Sequence, residues 1–306
     1  MLTSVFTKSV RDRWRGVTIA VVSLAALLYF GMVVYQDIDL SIYTDLGPAF
    51  ESLIGIGADA DAASLAYNAI YGSYGALIMA GLAIAMGAGY IAGEERKGTV
   101  GVLLANPRSR TQVLVAKASA MVLLLVLGGL VLWAAGVATP AALDVSITGM
   151  DVGAFLVHLT AMTLFFGFLA LAVGSWTGKS GVAAGVGAGV LALSFFAVGI
   201  LQMIEGWEGL AKLFPWYYFA GSDPLLNGIA WGHIALLIGT SALLTTTMVE
   251  QRKLEEELKS AGLRDRFKTI VGGAPVTARW ATRIGADAYA EDAQDAVKTV
   301  NQLLSL

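Results

Sequence analysis

Apolar runs long enough to cross a bilayer constrain this chain more than any other feature. A helix rising 1.5 Å per residue needs about 20 residues to cover the hydrocarbon core. Such runs lie at roughly 16–36, 68–92, 113–138, 153–177, 181–204 and 229–249. With 57% hydrophobic residues, 14% charged residues and a mean hydropathy of +0.70, the chain falls outside the soluble globular range, in which about a quarter of residues are charged. The expected fold is an all-α polytopic membrane protein with six transmembrane helices. The first run, Gly16–Tyr35, lacks a small-residue cleavage site and reads as a retained span.

The placement of charge orients these spans. Of the 20 Lys and Arg residues, only Lys212 falls in a segment expected outside. Segment 37–67 holds Asp37, Asp39, Asp45, Glu51, Asp59 and Asp61 with no cation, and 139–152 holds Asp144 and Asp151 with none. Cations gather before the first span, between the second and third, at Lys179, and after the sixth. This is the positive-inside pattern for N-in/C-in with six crossings, and it places a multi-pass protein in the cell (cytoplasmic) membrane. A net charge of −3 leaves no basic excess for a nucleic-acid partner. The absence of cysteine excludes disulfides, thiolate metal sites and a cysteine nucleophile.

Residues 1–15 are basic and amphipathic. At helical spacing Phe6, Val10 and Trp14 share one face, while Lys8, Arg11 and Arg15 share another. The pattern predicts an interfacial connector helix lying in the headgroup layer of the lipid bilayer.

The spans carry few polar residues. Lys117, near the start of the third, is placed to snorkel toward the interface. His158 and His233 stand alone in apolar runs and read as packed, hydrogen-bonded side chains, because proton relays come as chains of ionisable groups. With no carboxylate deep in a span, ion coupling has no candidate residues, and uphill transport needs energy from elsewhere. Gly181, Gly185 and Gly189 form a small-residue stripe for close helix packing, within the chain or between subunits. Gly174–Ser180 ends in Gly178-Lys179-Ser180, yet a phosphate-binding loop needs glycine where Val173 stands, and needs a preceding strand. This chain is not expected to hydrolyse ATP; no catalytic residue and no metal site is singled out.

One long polar interruption separates the second and third spans, from Glu94 through Arg110. Glu94 and Glu95 suit a helix N-terminus, and Pro107 ends the helix near Asn106. Arg96, Lys97, Arg108 and Arg110 offer charge to a soluble surface. The pattern Glu95-x-x-Gly98-Thr99-x-x-x-Leu103-Leu104-x-x-Pro107-x-Ser109-Arg110, followed by Lys117, resembles the signature after the second span in permease subunits of type-2 ATP-binding-cassette transporters. Phe214-Pro215-Trp216-Tyr217-Tyr218 and Asp223-Pro224-Leu225-Leu226-Asn227-Gly228 are similar to the external segment before that family's last span. The resemblance covers about residues 1–238.

The resemblance implies a permease subunit of an ABC transporter, an exporter, that dimerises with a second permease subunit as a homo- or heterodimer. It implies a separate cytosolic ATPase subunit, which binds the ATP and Mg; no cofactor is expected in this chain. Residues 94–112 would be the coupling helix and its exit. Glu94, Glu95, Arg96, Gly98, Thr99, Pro107, Arg108 and Arg110 would be the ATPase-coupling residues within a permease domain of 16–249.

Past residue 249 the composition changes, with cations from Arg252 through Lys298 mixed with acids, so 250–306 read as a soluble cytosolic tail. A helix over 250–261, a strand at Phe267–Val271, a helix from Thr277, a strand at Ala286–Tyr289 and a final helix predict a partial α/β unit, an incomplete Rossmann-like fragment. Ser241-x-Leu243, Gly272-Gly273 and Ile284-Gly285-Ala286-Asp287 resemble the last half of the cobalamin-binding domains of corrinoid methyltransferase proteins, over roughly 239–306. That family holds cobalt through a histidine in Asp-x-His-x-x-Gly, and neither His158 nor His233 sits in such a motif. Ser241, Leu243, Gly272 and Gly273 therefore read as a vestigial motif, and cobalamin is disfavoured. The resemblance would also make 241–249 a buried strand, whereas a sixth span needs those residues to reach bilayer length. A membrane-tethered corrinoid-binding protein is the alternative reading.

Overall fold

The computed structural model describes residues 2–36, 62–90, 110–204, 206–272, 278–290 and 293–303. Helix α1 runs unbroken through Leu2–Gln36. Helix α2 joins Ala62–Ala66, a π-helical stretch Tyr67–Gly75 and Ala76–Tyr90. Then come α3 (Arg110–Ala142), α4 (Val152–Thr177) and α5 (Ser180–Leu201). Among the described residues these five helices are long and apolar enough to cross a membrane.

The expected separate helix over 1–15 is instead the first turns of α1. No proline interrupts the run, and Ser9 returns its hydroxyl to the carbonyl of Val5 at 2.8 Å. Val5 is buried with Val113 and Ala116, so this end of α1 lies against the start of α3. All but the first two residues of the expected sixth span, 229–249, lie in α6 (Trp231–Ser260), whose described apolar part, Trp231–Leu243, is shorter than a crossing. Residues 241–249 are thus helical, the state that bilayer length requires and the corrinoid resemblance does not.

Helix α4 is the central rod, in contact with α2, α3, α5 and α6. Its faces show why glycine is placed where it is. A Cβ at Gly87 of α2 would collide with backbone at Gly167 and Leu171 of α4, so these two helices approach to backbone distance. By contrast Gly181, Gly185 and Gly189 have nothing within 4 Å, so the stripe packs no helix among the described residues. Around this axis Leu24, Leu28, Tyr67, Tyr71, Met121, Leu125 and Phe166 form one buried cluster.

Gly178 closes α4 in the left-handed conformation (φ 65°), its N–H donating to the carbonyl of Gly174 at 3.0 Å. The glycines that imitate a phosphate loop are a helix stop. Beyond α6, β1 (Ile270–Gly272) pairs in parallel with β2 (Ala288–Ala290), with α7 (Ala278–Ile284) as the crossover and α8 (Ala293–Leu303) after it. The strand–helix alternation is as expected, with β1 beginning three residues later than Phe267. A new helix at 250 does not form; α6 continues to Ser260.

Candidate functional site

Of the expected coupling residues, Glu94, Glu95, Arg96, Gly98, Thr99, Pro107 and Arg108 lie outside the described residues, and Arg110 is the first residue of α3. What the structure does define is the frame at which that segment starts. The described part of helix α2 ends at Tyr90. The Lys117 ammonium donates to the Tyr90 carbonyl and lies 5.9 Å from the Tyr90 ring centroid. The Arg13 guanidinium sits over the same ring at 5.8 Å. A Cβ at Gly89 would meet that guanidinium, so the small residue leaves room for it. α1, α2 and α3 are thereby joined at Tyr90.

Lys117 does not snorkel: it is only 3% exposed. The sequence placed it near an interface, but the carbonyl that satisfies its charge belongs to another helix, and that pairing has no local signature.

At the opposite end of α4 the two histidines come together, with ring centroids 6.2 Å apart. His158 is fully buried. Its Nε2 accepts the N–H of Ala230 at 3.0 Å, which leaves Nδ1–H to donate to the carbonyl of Tyr218 at 3.1 Å. His158 therefore pins two points of the 202–230 connection to α4, matching the expectation of a hydrogen-bonded, packed imidazole. Ser194 of α5 adds a third pin, accepting the N–H of Trp216 at 2.8 Å. Sequence reasoning did not mark Ser194; a lone serine in an apolar span was the available signal.

In the tail, Asp287 organises the start of β1. Its carboxylate accepts the Thr269 N–H at 2.7 Å and pairs with Arg264 at 2.9 Å and Lys268 at 3.7 Å. Partial burial opposes its ionisation, yet the Thr269 and Arg264 hydrogen bonds and the two cations hold its pKa below the ordinary carboxylate range. Gly272 ends β1, while Ser241 donates to the Leu237 carbonyl inside α6. Nineteen helical residues put Ser241 about 28 Å from the end of α6. Leu243 is exposed on the same helix, and Gly273 lies outside the described residues.

A family model described as ABC-2 family transporter protein matches residues 3–214. The chain belongs to the ABC-2 family of transporter proteins. Membership makes it a transport component of a membrane. A second model, described as B12 binding domain, matches residues 230–298. Over 70 residues the chain is 57% identical to a trimethylamine corrinoid protein of Methanosarcina barkeri, covering 23% of this chain and 32% of that protein. It is 54% identical over 68 residues to a corrinoid protein of Desulfitobacterium hafniense, covering 22% and 32%. A dimethylamine corrinoid protein of Methanosarcina mazei is 54% identical over 69 residues, covering 22% and 41%. The chain spans about a third of the length of the first of these relatives.

These matches correct the expectation that disfavoured cobalamin. The B12-binding match and the corrinoid relatives point to a cobalamin-type cofactor for the C-terminal part of this ABC-2 chain. The missing histidine motif had weighed against it, but a family match rests on the whole pattern of 230–298, not on one ligand. The described residues supply one parallel strand pair with its crossover helix and no imidazole after His233.

Proposed function

We propose that this chain is the permease subunit of an ATP-driven exporter, crossing the cytoplasmic membrane six times with both ends inside. It pairs with a second permease subunit, and a separate cytosolic ATPase acts on each through residues 94–112. Family membership over 3–214 carries this reading. The Arg13–Tyr90–Lys117 junction supports it, because a push on the segment after Tyr90 reaches α1 and α3 through groups already in contact. Closure of the ATPases then tilts the spans between two states as rigid bodies.

The test reconstitutes the chain with its cognate ATPase and follows ATP hydrolysis and export together. Glu95→Gln and Gly98→Leu are expected to leave hydrolysis and abolish export. Full export with the ATPase deleted overturns the reading.

A second reading concerns the tail, favoured by the B12-binding match over 230–298: the chain is a membrane-tethered corrinoid-binding protein. Purified full-length chain incubated with hydroxocobalamin and desalted is expected to keep the corrinoid's visible absorption. A colourless protein removes it. The two readings share residues 230–249, which the first uses as the sixth span and the second as part of the corrinoid-binding domain.

A further inference from the structure

The connection between α5 and α6 contains a 3₁₀ helix, Glu208–Leu213, whose side chains repeat every three residues. Trp207, Leu210 and Leu213 therefore fall in one row, and they are 53%, 46% and 76% exposed. Ala211 lies on a different row and is fully buried. Gly209 and Lys212 form a third row, which is exposed and carries no large apolar side chain. This short helix thus has an inward face, a polar face and an apolar face with no covering residue in the described chain.

Its depth follows from α5. Twenty-two residues (Ser180–Leu201) span about 33 Å, slightly more than the roughly 30 Å hydrocarbon core. Residues 202–213 accordingly sit at the headgroup level, on the side away from the Gly178 turn. The exposed apolar row follows, along the chain, exposed apolar side chains of α5 and its exit: Leu193, Phe196, Ile200, Met203 and Ile204. Trp231, at the start of α6, is exposed at the other end of the same connection. Tryptophan concentrates at this level because its ring is apolar and its N–H is polar.

We propose that Trp207, Leu210 and Leu213 insert into the interfacial layer of the bilayer, so that the 207–213 segment is a lipid-docked anchor. Its partner is the lipid surface itself. The Tyr218 hydroxyl, donating to the Lys212 carbonyl at 2.7 Å, ties this anchor to the connection that His158 holds on α4. Lipid packing at that leaflet is thereby linked mechanically to the end of the central helix.

The chain has no cysteine, so single-site labels report cleanly. Full-length Leu213→Cys, Leu210→Cys and Lys212→Cys proteins are spin-labelled and reconstituted in phosphatidylcholine–phosphatidylglycerol vesicles. Power-saturation resonance then compares oxygen with a water-soluble nickel chelate. Labels at 210 and 213 are expected to favour oxygen by severalfold over the label at 212. Equal nickel access at 212 and 213 overturns the proposal. So does dipolar broadening at 213 that vanishes on dilution with unlabelled protein, which marks a second copy as the cover. As a second measurement, brominated lipid is expected to quench tryptophan emission more in the unmodified chain than in Trp207→Phe; equal quenching also overturns it.

Discussion

The hydroxyl of Tyr67 donates to the carbonyl of Gly136 at 2.6 Å, and Pro140 is the reason that carbonyl is free. In α3 the residue four positions after Gly136 would normally supply the N–H, and proline has none. In a membrane interior an unpaired carbonyl is costly, so a side chain from α2 takes it. Tyr71, one turn on, donates to the Leu132 carbonyl at 3.2 Å. The π-helical stretch Tyr67–Gly75 carries both tyrosines.

A double-mutant cycle tests this pairing. Tyr67→Phe leaves the carbonyl unpaired and should cost about 1–3 kcal/mol. In a Pro140→Ala background the helix supplies its own N–H, and the same substitution should cost clearly less. Thermal unfolding in detergent reads both, and equal losses would show that Tyr67 does not serve the gap left by Pro140.

Close helix approach gives a second prediction. Gly87→Ala drives a methyl into the backbone of α4, whereas Gly81 has nothing within 4 Å. Gly87→Ala should destabilise by about 1–3 kcal/mol, and Gly81→Ala should not destabilise. Unfolding midpoints decide it, and matched midpoints would contradict the backbone contact.

His158 holds one donor and one acceptor of the outer connection. His158→Phe keeps the bulk and orphans the Ala230 N–H and the Tyr218 carbonyl, at about 1–3 kcal/mol for each buried group. Protease sensitivity of 202–230 should rise with it. Unchanged protection would mean that packing alone secures that connection.

For the tail, the sign of the Asp287 shift sets the pH dependence. A carboxyl whose folded pKa is depressed contributes stability above its unfolded pKa of about 3.9 and loses it as pH falls through the lower folded value. The tail should therefore loosen below about pH 4. At neutral pH Asp287→Asn should cost roughly 0.5–1 kcal/mol, the range of a partly exposed pair, and speed tryptic cleavage after Arg264 and Arg266. A cleavage rate equal to wild type would show that the pair with Arg264 contributes nothing.

Much of the fold was legible because a bilayer imposes one length scale. Five expected spans, 16–36 through 181–204, recur in α1 to α5 with ends moved by a few residues, apart from the α1 N-terminus. Gly178 was rightly refused as a phosphate loop, since its neighbours were apolar at helical length. The glycine stripe was less readable. Gly181, Gly185 and Gly189 share spacing with packing motifs, yet in the structure Gly87 makes the close approach. Spacing records which side of a helix is small and not which neighbour faces it. The corrinoid relationship was visible in the tail residues, while the weight given to one absent histidine misled the cofactor expectation.

By itself the sequence determined that long greasy helices cross a membrane, and that a strand–helix unit follows them. Those properties depend on neighbours along the chain, through hydropathy, charge and helix rise. Only the tertiary structure decided that Lys117 is buried on Tyr90, that Tyr67 serves Gly136, and that His158 holds Tyr218 and Ala230. Each pair joins residues from 27 to 72 positions apart, and their partners are backbone groups, which every residue possesses and which no side-chain pattern can announce.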